Sequence, residues 1–328
     1  MVQASCRCVA VLVALLSAFA SPLAAAQAKD WPNKPVRFIV PFPPGGTVDP
    51  LARLLGTRLS AALGQQFIVD NRSGASGAIG TAIAAKANPD GYTYVFVFDT
   101  HAVNPFLISN LSYDTLKDLA PVMLVATAPM GIVTSPGKPY KAFADVIKAA
   151  KAKPDAVTYG SVGSGSLGHL ALTLVQEAGG FKLVHVPYAG GGPMSANVLG
   201  GHIEIGIGSV ALVSPQIVAG KMRGIATTGD KRTQSIPNVP TLAEQGFPGF
   251  SAFAWWGILG PTGVPKPVLD KFHGELVKAL NQPDLRKQLT EQFSMDLVVS
   301  DPAALQKFIG TEMQRWGKVV KQYGIRAE

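Results

Sequence analysis

Three glycine- and serine-rich stretches stand where this chain could hold an anion: PFPPGGTVDP at 41–50, NRSGASGAIG at 71–80 and YGSVGSGSLGHL at 159–170. Each opens onto a helical pattern. The first turn of a helix carries backbone N–H groups without intrahelical partners and the positive end of the helix dipole. A phosphate or carboxylate can be held there without a basic side chain, so three such loops suggest an anion cage.

Other chemistries fit less well. Gly163, Gly165 and Gly168 match the G-x-G-x-x-G dinucleotide pattern, but that fingerprint needs an acid at the end of the following strand to hold the ribose. Here the strand ends in His185-Val186-Pro187-Tyr188, and no acid follows before Glu204. No serine sits in G-x-S-x-G. Ser166 and His169 lie three apart on one helix face, a spacing that leaves an exported serine hydrolase as an alternative, without an identified orienting acid. The five histidines (101, 169, 185, 202 and 273) show no ligand spacing, so neither metal nor cofactor is expected.

The elements that must position these loops alternate. Val36 to Val40 reads as a strand, followed by the first loop. Asp49 reads as the cap of a helix beginning at Pro50, with Leu51, Leu54, Leu55, Leu59 and Ala62 on one face and Gly64 as its stop. Phe67 to Val69, the second loop and a helix to about Ala87 repeat the unit, and Tyr92 to Phe98 is a further strand. After a strand from about Val122 and a helix at 143–151, Val157 to Tyr159, the third loop and a helix at 167–178 form the unit again. Leu183 to Val186 and Arg223 to Ala226 read as strands, as does Phe253 to Leu259. Helices are expected at 265–280, 283–292 and 302–323. This alternation predicts mostly parallel α/β sheets with ligands outside the carboxyl ends of the strands.

Arg7, the apolar run Val9 to Ala20, and Ala24 and Ala26 read as a secretory signal peptide cleaved after Ala26 or Ala28. The twelve-residue run is shorter than the roughly 20 residues that span a bilayer. The expected compartment is the periplasm. Both cysteines, Cys6 and Cys8, lie in the leader, so the mature chain is expected to rely on its core, and its length predicts two domains. The formal net charge is +8, but the lysines fall on helix faces and do not interleave with aromatics, which argues against nucleic-acid binding.

Taken together, PFPPGGTVDPLAR at 41–53, VDNRSGASGAIG at 69–80, THAVNP at 100–105, SYDTLKDLAPV at 112–122, YGSVGSGSLGHL at 159–170, VPYAGGGP at 186–193 and NVPTLAEQGFPGF at 238–250 resemble the Bug family. These are the extracytoplasmic solute-binding proteins of tripartite tricarboxylate transporters. The resemblance covers essentially the whole mature chain. It implies a type II periplasmic-binding-protein fold: two α/β domains joined by two crossing strands, with a ligand cleft between them. The first domain would combine 29–127 with 247–328, and the second would be 128–246.

The same resemblance implies a site. Gly45, Gly46, Thr47 and Asp49 would line one side, and Ser161, Gly163, Ser164, Gly165 and Ser166 the other, with Thr100, His101, Asn104, Tyr188, Ala189 and Gly190 closing the walls. Asp49 itself reads as a poor anion contact. Where many relatives carry an acid this chain has Gly208-Ser209, and Phe98-Asp99 precedes Thr100. Phe42 and Phe98 could stack on a ring, although Phe98 reads equally as core. Hydrogen bonds to a charged group contribute roughly 1.5–3 kcal/mol each. Four or five would therefore supply the roughly 8 kcal/mol of micromolar binding before association costs. The expected ligand is a carboxylate, specifically a dicarboxylate, with aromatic ones such as terephthalate included. The expected partners are membrane transporter subunits, and the expected state is a monomer. A ligand sensor docking on a signalling partner is the other alternative.

Overall fold

The computed structural model describes residues 30–326; the expected signal peptide lies outside the described residues. The apolar, β-branched run Val36–Val40 forms β1, paired in parallel with β2 (Phe67–Asn71) and β3 (Thr93–Val97). Between β1 and β2 runs α1 (Val48–Leu63), which buries Leu51, Leu55 and Leu59 and ends on Gly64 in the left-handed conformation. After β2 come α2 (Ala78–Ala85) and, beyond β3, a 3-10 turn at Asp99–Ala102 and the short α3 (Asn104–Leu107).

One long strand, β4 (Leu119–Thr134), carries the chain out of this first lobe. Its Leu119–Pro129 portion pairs with β9 (Phe253–Pro261), and its Met130–Thr134 portion pairs with β7 (Ile205–Ser209) and β8 (Arg223–Thr227). The second lobe is built from α4 (Phe143–Ala152), β5 (Thr158–Ser161), α5 (Leu167–Gly179), β6 (Val184–Pro187), α6 (Gly191–Leu199), β7, α7 (Val210–Val218) and β8. The chain returns through 247–252 into β9, then adds α8 (Lys266–Leu280), α9 (Pro283–Lys287), β10 (Asp296–Leu297) and α10 (Pro302–Tyr323). The strand order is β2-β1-β3-β9-β4-β7-β5-β6, with β8 and β10 also on β4. The result is an α/β fold whose single sheet path bends through β4 from one lobe to the other.

The mostly parallel expectation holds only in the outer strands. β4 and β9 run antiparallel to each other, and β9 is antiparallel to β3, as β4 is to β7 and β8, because the two lobe-crossing segments travel in opposite directions. Helix boundaries move as well. α1 starts at Val48 with Thr47 as its N-cap, so Asp49 lies inside the first turn and is not the cap. The expected helix at 283–292 becomes α9 followed by a wider turn at Gln288–Gln292. Among the described residues no helix is long and apolar enough to cross a membrane.

Candidate functional site

A cavity lies between the lobes, where the carboxyl ends of five strands meet. Phe42 follows β1, Phe98 follows β3, Val162 follows β5, Gly190 follows β6, and Ser209 ends β7. Gly46, Thr47 and Val48 add the start of α1, and Gly191 the start of α6, while Leu212 reaches in from the first turn of α7. The starts of α1, α6 and α7 therefore converge on one space, two of them from the second lobe. Each contributes first-turn N–H groups and the positive end of its dipole. The volume open to the centre of a water molecule is about 20 Å³, which is room for a single water.

Loop one is fixed from outside the cavity. The Asp49 carboxylate accepts from Arg53 Nε at 3.0 Å and Nη2 at 2.9 Å, and from Asn71 Nδ2 at 2.9 Å. Asn71 Nδ2 also donates to the Phe42 carbonyl at 3.0 Å, so Asp49 and Asn71 bind the first loop to the end of β2. With its lone pairs committed in this way, Asp49 is a brace. Trp256 Nε1, buried, donates to Thr47 Oγ1 at 3.0 Å and holds the α1 cap from the side of β9. Phe42 and Phe98 meet edge to face, 6.1 Å between centroids, along one wall.

Loop two reaches across the seam. Ala75 and Ser76 both hold positive φ, at 47° and 50°, a conformation that costs a non-glycine residue on the order of 1 kcal/mol or more. The Ser76 carbonyl accepts from Asn104 Nδ2 at 3.2 Å, and its hydroxyl donates to the Ser164 carbonyl of the second lobe at 3.0 Å. Loop one also touches the opposite lobe: a Cβ placed on Gly45 would meet Gly192 Cα at 3.5 Å.

Loop three is turned toward its own support more than toward the cavity. Ser161 Oγ lies 2.9 Å from the Gly163 carbonyl oxygen and 2.7 Å from His185 Nε2, and its one proton goes to the histidine or to the carbonyl according to the His185 tautomer. His169 Nδ1 accepts from the Gly165 N–H at 3.1 Å. The His169 and His185 rings stack 3.8 Å apart. Burial lowers His169 to about 4; burial, then the His169 charge, lowers His185 to about 3. Both are neutral at physiological pH. Ser166 is buried and its hydroxyl has no partner, so the Ser166–His169 pair weighed for hydrolysis is not formed.

The remaining expected residues divide clearly. Phe42, Gly46, Thr47 and Gly190 line the cavity. Thr100, His101 and Asn104 are buried in the first lobe. His101 stacks parallel on Tyr113 at 6.3 Å, and burial alone pushes it down to about 3. The Tyr188 N–H caps β5 by donating to the Ser161 carbonyl at 3.1 Å, Ala189 is exposed, and Gly208 packs under Leu212 and Met194. Gly163, Ser164 and Gly165 form the cross-lobe contact with Ser76 and Leu107. Ser209 and Gly191 are the starts that sequence reasoning missed; the G-x-G-S run at 206–209 and the glycine run at 190–192 were the available signals. Among the described residues no group of three or more His, Cys, Asp or Glu could hold a metal ion.

Comparison with known proteins adds four observations. A family model described as tripartite tricarboxylate transporter family receptor matches residues 51–325. Protein BugT of Bordetella pertussis is 34% identical over 317 residues, covering 96% of this chain and 97% of that protein. Among solved structures, the periplasmic binding protein BugD superposes with a TM-score of 0.86 at 31% identity, over 91% of this chain and 100% of that one. The R. palustris protein Rpa4515 with adipate gives 0.86 at 33% identity, over 90% and 99%.

Proposed function

The chain belongs to the family of tripartite tricarboxylate transporter receptors, and on that premise we propose that it captures a dicarboxylate in the periplasm and delivers it to a membrane transporter. The observation that carries this reading is the convergence of the α1, α6 and α7 starts on one cavity between the lobes. One carboxylate would sit on the start of α1 in the first lobe, the other on the starts of α6 and α7 in the second. The two ends of one ligand then belong to different lobes, and binding favours closure. The present cavity admits about one water, so entry requires the seam to open.

The Phe42–Phe98 wall suits the flat face of a ring, which brings aromatic dicarboxylates such as terephthalate within the ligand class alongside linear ones like the adipate held by Rpa4515. The moving units would be 29–127 with 247–328, and 128–246. The boundary at 127/128 falls within β4, between its pairing to β10 and its pairing to β7. The protein would act as a monomer and release its ligand chemically unchanged.

Thermal shift against linear and aromatic mono- and dicarboxylates tests this reading. A true ligand at a hundred times its Kd adds about 2.7 kcal/mol of stability. No shift from any carboxylate, together with cleavage of an ester that Ser166→Ala abolishes, would sink the receptor reading.

A further inference from the structure

The start of α5 is already occupied by an acidic side chain of the chain itself. Asp99, 3% exposed, projects from the turn after β3 in the first lobe, and its Oδ1 accepts from the Leu167 N–H at 3.2 Å. Leu167 is the first residue of α5 in the second lobe. The N-cap Ser166 makes no side-chain cap bond, and its hydroxyl is fully buried without a partner, as is Asp99 Oδ2. Among the described residues no cation pairs with Asp99. Glu312 on α10 adds repulsion to the Asp99 carboxylate while its own carboxylate accepts from Trp316 Nε1. The α5 start lies outside the cavity lining, whereas those of α1, α6 and α7 form it.

We propose that Asp99 is a specificity-determining residue: its carboxylate holds the α5 start where a ligand anion would otherwise sit, closing that helix start to the ligand and limiting the receptor to ligands whose anionic groups the other three helix starts can hold. This rests on the receptor reading above. A further carboxylate brought to the α5 start would meet Asp99 and Glu312, at a cost set by like charges in a buried site. Burial raises Asp99 to about 7, so the exclusion strengthens as pH rises above neutrality.

The test compares wild type, Asp99→Asn and Asp99→Ser at pH 8, with circular dichroism as the control for folding. Calorimetric affinities are measured for adipate, with two carboxylates, and citrate, with three. Asp99→Ser vacates the α5 start, and its citrate-to-adipate affinity ratio is expected to rise at least tenfold over wild type, with Asp99→Asn intermediate. An unchanged ratio in both variants overturns the proposal. If neither acid binds any of the three proteins, the receptor reading fails separately, and inorganic sulfate becomes the probe for Asp99. Sulfate that raises the melting temperature of Asp99→Ser and not of wild type upholds the assignment; equal shifts overturn it.

Discussion

The Ser76 hydroxyl donates to the Ser164 carbonyl at 3.0 Å, joining loop two of the first lobe to loop three of the second. Ser76 does this from a left-handed backbone at φ 50°, so the contact is held against local strain. A neutral hydrogen bond contributes about 0.5–1.5 kcal/mol, and this one exists only when the lobes are together. Ser76→Ala should therefore weaken carboxylate binding by up to about tenfold. Ser76→Gly should weaken it similarly while unfolding at higher denaturant than Ser76→Ala, because glycine relieves the strain. Affinities unchanged in both variants would remove the contact from the closed state.

The α1 start depends on a single indole. Thr47→Val keeps the shape of the side chain but leaves Trp256 Nε1, now bonded to Thr47 Oγ1, as a buried donor without an acceptor. The expected loss is about 1–3 kcal/mol of stability, read by urea denaturation, with reduced ligand affinity because α1 supplies one end of the site. Thr47→Ser should restore most of both. A Val variant as stable as wild type would show that the indole finds another acceptor.

Two sets of buried groups give the fold opposing responses to acid. Burial holds Asp99 protonated up to about pH 7, whereas an unfolded aspartate ionises near pH 4. Its stabilising contribution is complete below about pH 4 and is lost as pH rises through 7. His169 and His185, lowered to about 4 and 3, contribute stability that is complete above about pH 6.5 and lost as pH falls through those values. Asp99→Asn removes only the first arm. Between pH 7 and 4 the stability gap should shift toward wild type as pH falls, by up to about 1.4 kcal/mol per unit, in urea titrations at several pH values. A gap independent of pH would mean that Asp99 is ionised in the folded protein.

The units that build the site were legible where local pattern suffices. Val36–Val40, Leu51, Leu55 and Leu59, and the Gly64 stop define strand, loop and helix by their own spacing. What the spacing could not say is which helix starts face each other. The α5 start looks free in sequence because the residue that fills it, Asp99, lies 68 positions earlier. The α7 start was hidden for a local reason: VALVSPQIV carries Pro215 within the helix and is apolar nearly all round, so it lacks the polar face that marks a surface helix. Similarly, β4 contains Pro121 and Pro129, and its pairing to β9 shifts register beside Pro121, which obscures a strand of its length. His101 read as a wall residue because its sequence neighbours matched a loop motif, yet its ring packs between Tyr113 and Trp255.

Closure itself can be blocked by one added carbon at the seam. Gly192 is the second residue of α6, and a Cβ there would lie 2.9 Å from the Pro44 carbonyl oxygen and 3.2 Å from the Gly45 carbonyl carbon. Both are backbone atoms of loop one on the opposite lobe, and neither can rotate away. Within its own lobe the substitution is tolerated, since alanine is the better helix former of the two. Gly192→Ala should therefore melt no lower than wild type, bind carboxylates at least about tenfold more weakly, and show a larger radius of gyration in small-angle scattering. Gly274→Ala, in α8 with nothing within 4 Å of the added carbon, is the control and should change stability without changing affinity. Wild-type affinity in Gly192→Ala would mean that the ligand-bound lobes meet along a different seam.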